Sequence, residues 1–424
     1  MISKEQALQI ILNAHQDFGN ETIPFLESVG RILKEEIKAD RDFPPFNRVA
    51  MDGIAINYSQ FKKGQRSFII EGVQAAGSEQ MRLNNPENCI EVMTGAVLPS
   101  KTSAVIRYED IQLENGVATI VVDAMNDGQN IHEKAKDGKE GTVLIQKNTT
   151  ISAAEIGVLA TVGKPMVKVA KTPKVMIVST GDELVGVEET PLPHQIRRSN
   201  VFTLVSLLDK LQVRSHTAHI TDDKPRLKQK IKGFLKTYDV LLFSGAVSKG
   251  KYDFLPEVLD ELGVVKLFHK VAQRPGKPFW FGHKTNSSIA QNDMGKDPEN
   301  YSDEYSEHPL QEKTTVFAFP GNPVSTFVNC LTYFYPWYDK SIARVQEEET
   351  AILGHDITFK PSLTYLLQVR LSTLNGALVA TPIKGNGSGD LASLAKADGF
   401  IELPKTEETL FKKGAVFPII RYRN

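Results

Sequence analysis

Three apolar runs, each closing on a glycine-bearing polar turn, constrain this chain more than any other feature. Val175–Val178 leads into Ser179-Thr180-Gly181-Asp182-Glu183. Val240–Phe243 leads into Ser244-Gly245-Ala246-Val247-Ser248-Lys249-Gly250. Val316–Phe319 leads into Pro320-Gly321-Asn322-Pro323. Short apolar runs bounded by turn residues read as buried strands. Helical periodicity follows them: Val201, Leu204, Leu208 and Leu211 behind a cap at Asn200; Leu227, Ile231 and Leu235 behind Asp222 or Asp223; and Val324, Phe327, Val328 and Leu331 behind Asn322 and Pro323. Strand, turn and helix repeated in this way predict an open α/β sheet with a ligand crevice at the carboxyl ends of its strands.

The flanks read differently. Ser3 and Gln6 form a capping box ahead of Ala7, Ile10, Ile11 and Ala14, and a second helical pattern covers 25–37. Pro44-Pro45 breaks it, and Asp52-Gly53 is turn chemistry. From Ile54 to Val122 short alternating runs predict a β-rich domain, within which a strand ends in Thr94-Gly95. A capped helix, Ser152 to Leu159 with Glu155, returns beside the N-terminal helices, which makes the β-rich domain an insertion. The alternation from Glu349 onward reads as a small barrel. The expected fold class is multidomain α/β plus β. Its parts are a discontinuous first domain (1–45 and 138–170), an inserted β-rich second (46–137), an open-sheet α/β third (171–347) and a C-terminal β-barrel fourth (348–424). The polar stretch 284–315 reads as a long surface loop.

Composition excludes several function classes. At 424 residues the chain calls for two to four domains. A net charge of -1 supplies no global attraction to nucleic acid or anionic membrane. The only two cysteines, Cys89 and Cys330, stand far apart, so neither a disulfide framework nor a structural zinc site is expected. The absence of a signal-like start or a spanning apolar run points to a reducing, cytoplasmic setting.

The polar residues at the strand ends carry the chemistry. Gly-bearing turns ahead of helices present N–H groups to phosphate, and Ser179-Thr180-Gly181 and Ser244-Gly245 through Ser248 fit that role. No Walker A or Gly-x-Gly-x-x-Gly pattern is present. Asp182, Glu183 and Asp253 flank these turns. Carboxylates beside phosphate call for an intervening cation, and Mg²⁺ takes few carboxylates together with phosphate oxygens. Helix capping is the competing reading of those acids. Arg274 and Lys277, on the rigid Pro275-Gly276 turn, suit a tetrahedral oxyanion. Asp52 and Asp137 read by default as turn residues, and His132 has no metal-spaced partner. Residues alone therefore give a Mg²⁺-dependent, anion- or phosphate-binding α/β enzyme without a named substrate.

The ordered set of Pro44–Gly53, Met93-Thr94-Gly95-Ala96, Asn130 through Asp137, Ser179–Leu184, Ser244–Asp253, Pro275-Gly276-Lys277-Pro278, Pro320–Ser325 and Gly387-Ser388-Gly389 resembles the molybdopterin molybdotransferases, the MoeA and gephyrin E-domain family, along essentially the whole chain. The resemblance implies a homodimer whose cleft lies between domains three and four of one subunit and domain two of the other. It implies insertion of molybdate into adenylylated molybdopterin with release of AMP in the presence of Mg²⁺. By matching position, Glu183, Asp253 and Asp222 would line the nucleotide and pterin pocket, the first two holding Mg²⁺. Lys277, Ser325 and Ser388 would bind molybdate, Arg274 would add positive charge, and Pro320 and Pro323 would shape the wall. Asp52, Thr94 and Asp137 would reach in from the other subunit. Transient contact with a molybdopterin adenylyltransferase is also implied. The chain departs from the family at Ala135-Lys136, at Ala246, and in the fourth domain, where Gln368 and Arg370 are the two registers for an expected arginine. A molybdopterin adenylyltransferase-like enzyme and a non-catalytic scaffold of the same fold are the alternatives.

Overall fold

The computed structural model describes residues 1–245, 254–285 and 313–423. They divide into two compact units, one of residues 1–21, 30–32 and 169–424 and one of residues 22–29 and 33–168. The residues expected in one discontinuous domain are thus shared between the two.

The larger unit opens with α1 (Lys4–Asn13), whose Ser3–Gln6 capping box is formed. Its α/β part runs β1 (Val175–Thr180), α2 (Asn200–Lys210), β2 (Ser215–Ile220), α3 (Lys224–Thr237), β3 (Val240–Ser244), α4 (Leu255–Glu261), β4 (Val265–His269), β5 (Gln273–Arg274), β6 (Trp280–Thr285), β7 (Lys313–Phe319), α5 (Pro323–Asn329) and α6 (Tyr335–Ile342), with β5 standing outside the main sheet. The strand order is β2-β1-β3-β7-β6-β4, with the first four parallel, β6 antiparallel to β7 and β4 antiparallel to β6. The strands of the parallel core read as continuous apolar runs because both faces are covered. One face packs α1, α2, α5 and α6 through Phe279, Phe281, Phe317, Phe319 and Trp337. The other packs α3 and α4 through Val178, Ile231, Leu241, Phe243 and Leu259.

Between α5 and α6 the helix widens into a π turn, Cys330–Phe334. The C-terminal strands β8 (Thr350–Leu353), β9 (Thr364–Leu374), β10 (Ala377–Pro382), β11 (Gly399–Leu403) and β12 (Val416–Arg421), with α7 (Leu391–Lys396) between β10 and β11, close in the cycle β9-β10-β8-β12-β11-β9. Closure leaves the barrel without a free edge. β5 runs parallel to the start of β9, pairing Gln273 with Thr364 and Arg274 with Tyr365.

The smaller unit holds a six-stranded sheet in the order Ala104–Arg107, Gly53–Ile56, Cys89–Val92, Ser67–Gln74, Val117–Ile120, Ile111–Glu114. Gly53 sits at φ +154°, and a Cβ there would lie 1.8 Å from the Ile106 carbonyl oxygen. Only glycine lets the neighbouring strand approach beside Asp52.

Three local expectations fail. The stretch 25–37 is not a helix: a 3₁₀ turn, Phe25–Glu27, gives way at Gly30 (φ +82°) to extended chain and the short strand Ile37–Lys38. The turn after β1 leads not into a helix but into a parallel pair, Leu184–Val185 with Ile196–Arg197. The ends of the polar stretch 284–315 are strand, with Lys284 opposite Thr314 and Thr314 fully buried; 286–312 lie outside the described residues.

Candidate functional site

Register brings the three glycine turns together. Ser179 of β1 pairs with Ser244 of β3, which pairs with Phe319 of β7, while Thr180 lies opposite Ile220. The turns at Gly181, Gly245, Pro320-Gly321 and Thr221-Asp222 therefore emerge at one sheet edge. There Ser179 Oγ lies 3.1 Å from His219 Nδ1. Burial, with Arg198 nearby, holds the His219 imidazole below its usual pKa. The Thr180 hydroxyl is buried and has no hydrogen-bond partner among the described residues. The Asp222 amide donates to Asp182 Oδ1 at 3.0 Å, and Asp223, not Asp222, caps α3 through the Arg226 amide at 2.7 Å. The Glu183 carboxylate folds over Gly181, close enough that a Cβ at Gly181 would lie 2.5 Å from it. Neither Asp182 nor Glu183 caps a helix.

Asn200 does not cap α2 either; Ser199 holds that position. The Asn200 amide instead donates to Ser244 Oγ and to the Gly321 carbonyl, each at 2.8 Å, so one side chain ties the turns after β3 and β7 together. The sequence offered no way to separate this role from capping, because asparagine at a helix start serves both.

Beside Gly321 the edge opens into a cavity of about 760 Å³, walled by the 273–278 turn, by Pro320 to Ser325, by β9 and by the 383–389 loop. Arg274 and Lys277 line it, both exposed, and neither forms an ion pair among the described residues. Across from them Asn322 Nδ2 donates to Ser388 Oγ at 2.8 Å, and the Val324 amide donates to the Ser388 carbonyl at 3.1 Å. The loop is closed by Asp390, which accepts from the Asn386 amide at 3.0 Å and caps α7 at Ser393; the Asn386 bond holds its carboxyl below the usual range. The two fourth-domain registers are placed differently. Gln368 lines the cavity, whereas Arg370 is exposed and donates to the Lys396 carbonyl at 3.3 Å.

Five of the expected residues, Arg274, Lys277, Pro320, Ser325 and Ser388, thus share one cavity. Pro323 opens α5 next to it but is not part of the lining. Ser179, Thr180, Gly181, Glu183, Asp222, Ser244 and Gly245 lie along the sheet edge, joined to the cavity through Gly321. Ser248 and Asp253 lie outside the described residues. Asp52, Thr94 and Asp137 belong to the smaller unit. There Asp52 accepts from the Thr94 amide (2.6 Å) and hydroxyl (2.8 Å), which together hold its carboxyl below the usual range. Asp137 lies 2.9 Å from His132 Nε2. So Asp52 is a turn residue as well as a candidate, and His132 is paired with an acid.

Among the described residues no group of three or more His, Cys, Asp or Glu gathers as a protein-only metal site. Mg²⁺ does not need such a group, since it retains water and takes one or two carboxylates with substrate phosphate oxygens. Asp182 and Glu183 offer such carboxylates at the sheet edge.

Comparison with known proteins places these features in a family. Residues 2–163 match the MoeA N-terminal region (domain I and II), 176–339 a probable molybdopterin binding domain, and 350–422 the MoeA C-terminal region (domain IV). The molybdopterin molybdenumtransferase of Synechocystis sp. is 38% identical over 421 residues, covering 99% of both chains. That of Bacillus subtilis is 27% identical over 95% of this chain and 90% of its own. The crystal structure of a molybdopterin biosynthesis MoeA protein from Pyrococcus horikoshii, 27% identical, matches the fold over the full length of both chains with a TM-score of 0.79. A whole-length relative at this identity, three family regions in order and a matching fold leave one assignment: the chain belongs to the MoeA family of molybdopterin molybdenumtransferases.

Proposed function

We propose that this protein inserts molybdate into adenylylated molybdopterin, releasing AMP to give molybdenum cofactor. The observation that carries the reading is the cavity in which Arg274 and Lys277, unpaired among the described residues, face the Ser388 loop beside a phosphate-suited sheet edge. A tetrahedral oxyanion needs compensating charge and hydroxyl donors. Lys277 supplies a point charge, Arg274 a planar fork, and Ser325 and Ser388 hydroxyls. The adenylyl phosphates fit the edge at the turns of Gly181 and Gly245, where the Ser179, Thr180 and Ser244 hydroxyls are the available donors; the Gly245 amide itself is taken by the Phe319 carbonyl. Catalysis by this arrangement is positioning and electrostatic complementarity. Asp182 and Glu183 would hold Mg²⁺, with Asp253 as a further ligand. When bound, that ion neutralises charge on the phosphoanhydride whose cleavage frees AMP.

The proposal extends to assembly. In a homodimer, a second copy would contribute Asp52, Thr94 and Asp137 to each cleft. The division into 1–45 with 138–170, 46–137, 171–347 and 348–424 is the domain scheme this reading adopts. Work in the cytoplasm, with substrate passed on by transient contact with a molybdopterin adenylyltransferase, completes it. The test is turnover of adenylylated molybdopterin with and without molybdate and Mg²⁺. We expect molybdate-dependent AMP release, lost in Lys277→Ala and Glu183→Ala. AMP release indifferent to molybdate, or full activity in both variants, overturns the assignment.

A further inference from the structure

Within and behind the 273–278 wall of the cavity lies a polar cluster that the proposed reaction does not use directly. Gln273, Asn329 and Tyr333 are each fully buried, on β5, at the end of α5 and on the π turn. Gln273 Nε2 donates to the Pro275 carbonyl at 3.0 Å and to Asn329 Oδ1 at 2.8 Å. Asn329 Nδ2 donates to the Gly276 carbonyl at 3.1 Å. The Tyr333 hydroxyl donates to Gln273 Oε1. The amide orientations are fixed by this pattern, because the two backbone carbonyls can only accept. The next carbonyl, of Lys277, accepts from the Val271 and Phe279 amides, each at 3.0 Å. Three consecutive carbonyls of the turn are therefore pinned from inside, while the two cations that flank them stand in the cavity.

The turn has no slack against this cluster. Gly276 adopts φ +89°, and a Cβ there would meet Asn329 Oδ1 at 2.2 Å and Gln273 Nε2 at 2.7 Å. Both donor hydrogens of the Gln273 amide are used within the cluster, and its oxygen is taken by Tyr333. A buried network in which every polar side-chain atom has a partner favours one geometry, since an unsatisfied one is costly. The broadened π turn places Asn329 and Tyr333, one on each side of its start, so that both reach the network; such turns recur at functional sites.

We propose that Gln273, Asn329 and Tyr333 are positioning residues for the oxyanion, acting through the backbone of 275–277 to fix where Arg274 and Lys277 present their charges. The inference rests on the oxyanion reading of the cavity. It assigns the network no contact with substrate.

The test uses the full chain with Asn329→Leu, which keeps the volume and removes the donor to Gly276, and Tyr333→Phe, which removes one hydroxyl and is the milder change should Asn329→Leu fold poorly. Hydrogen–deuterium exchange over 271–280 and molybdate titration of AMP release are measured for each. We expect faster exchange confined to the turn, with KM for molybdate raised about tenfold while kcat at saturating molybdate stays within about twofold, the pattern of lost ground-state positioning. Asn329→Gln, which restores a donor, should recover part of the KM. Unchanged exchange and unchanged KM in folded Tyr333→Phe and Asn329→Leu overturn the proposal. Faster exchange in a protein whose wild type shows no molybdate dependence keeps the positioning role and sinks the oxyanion reading instead.

Discussion

Gly276→Ala tests the tightness of the cation-bearing turn from its backbone side. A Cβ at this position would sit 2.2 Å from Asn329 Oδ1 and 2.7 Å from Gln273 Nε2. Both side chains are fully buried, so neither can swing into solvent. A left-handed conformation costs a non-glycine residue roughly 1–2 kcal/mol. Displacing the two amides forfeits the bonds to the Pro275 and Gly276 carbonyls, and each buried group left unsatisfied costs about 1–3 kcal/mol. Partial relaxation offsets some of this, leaving a loss on the order of 4 kcal/mol. Gly387 is the internal control. It lines the same cavity at φ +102° with nothing within 4 Å of its Cβ position, so Gly387→Ala should cost only the conformational strain of about 1–2 kcal/mol. Urea unfolding followed by tryptophan fluorescence suits the comparison, because Trp280 and Trp337 are both in the larger unit's cores. Equal losses for the two substitutions, or a loss below about 1 kcal/mol at Gly276, would refute the steric argument.

Three further outcomes are expected. Asp52→Asn keeps the acceptor for the Thr94 amide and hydroxyl but removes the charge, so the melting temperature should hold while AMP release falls at least about tenfold; full activity would reduce Asp52 to a turn residue. Asp339 is buried beside Arg344, and burial raises its carboxyl pKa to about 6, well above the usual carboxylate range. A raised folded-state pKa favours the protonated native form, so this group's contribution to stability is present below pH 4 and is lost as pH rises through about 6. Asp339→Asn should accordingly gain stability relative to wild type across that window, by an amount on the order of 1–3 kcal/mol, and a parallel pH profile in the two proteins would defeat the argument. Both thiols are buried and pushed up, Cys89 to about 12, so a thiol reagent at neutral pH should label neither in the native protein and both in denaturant.

What the sequence revealed follows physical range. The central strands β1, β3 and β7 announced themselves because burial on both faces demands apolar runs, and the capping boxes at Ser3 and Ser152 are local chemistry that needs no partner elsewhere. Ser388 was reached only through the family resemblance, whereas Arg274 and Lys277 were identifiable as cations on a glycine and proline turn. The anchors behind them were not. Gln273 and Asn329 are ordinary polar residues until a separation of 56 positions is closed, and Asn200 looked like a cap because its true partners, Ser244 and Gly321, lie far along the chain. The stretch 25–37 had helical spacing, but its backbone partners are distant: the Leu33 amide donates to Thr149 and the Lys34 amide to Lys168, and these long-range bonds overrode the local pattern.

The two-residue strand β5 sets a rule for dissecting this protein. Its pairing with β9, extended by the Thr364 amide donating to the Ala272 carbonyl at 3.0 Å, stitches the cationic turn to the barrel rather than to the sheet alone. A fragment cut between α6 and β8 would carry Arg274 and Lys277 yet lose the seam that holds their strand. The α/β portion alone would thus present its cationic turn without the barrel seam, and swapping barrels between relatives would retune the anion cavity even with every lining residue of the α/β part left in place.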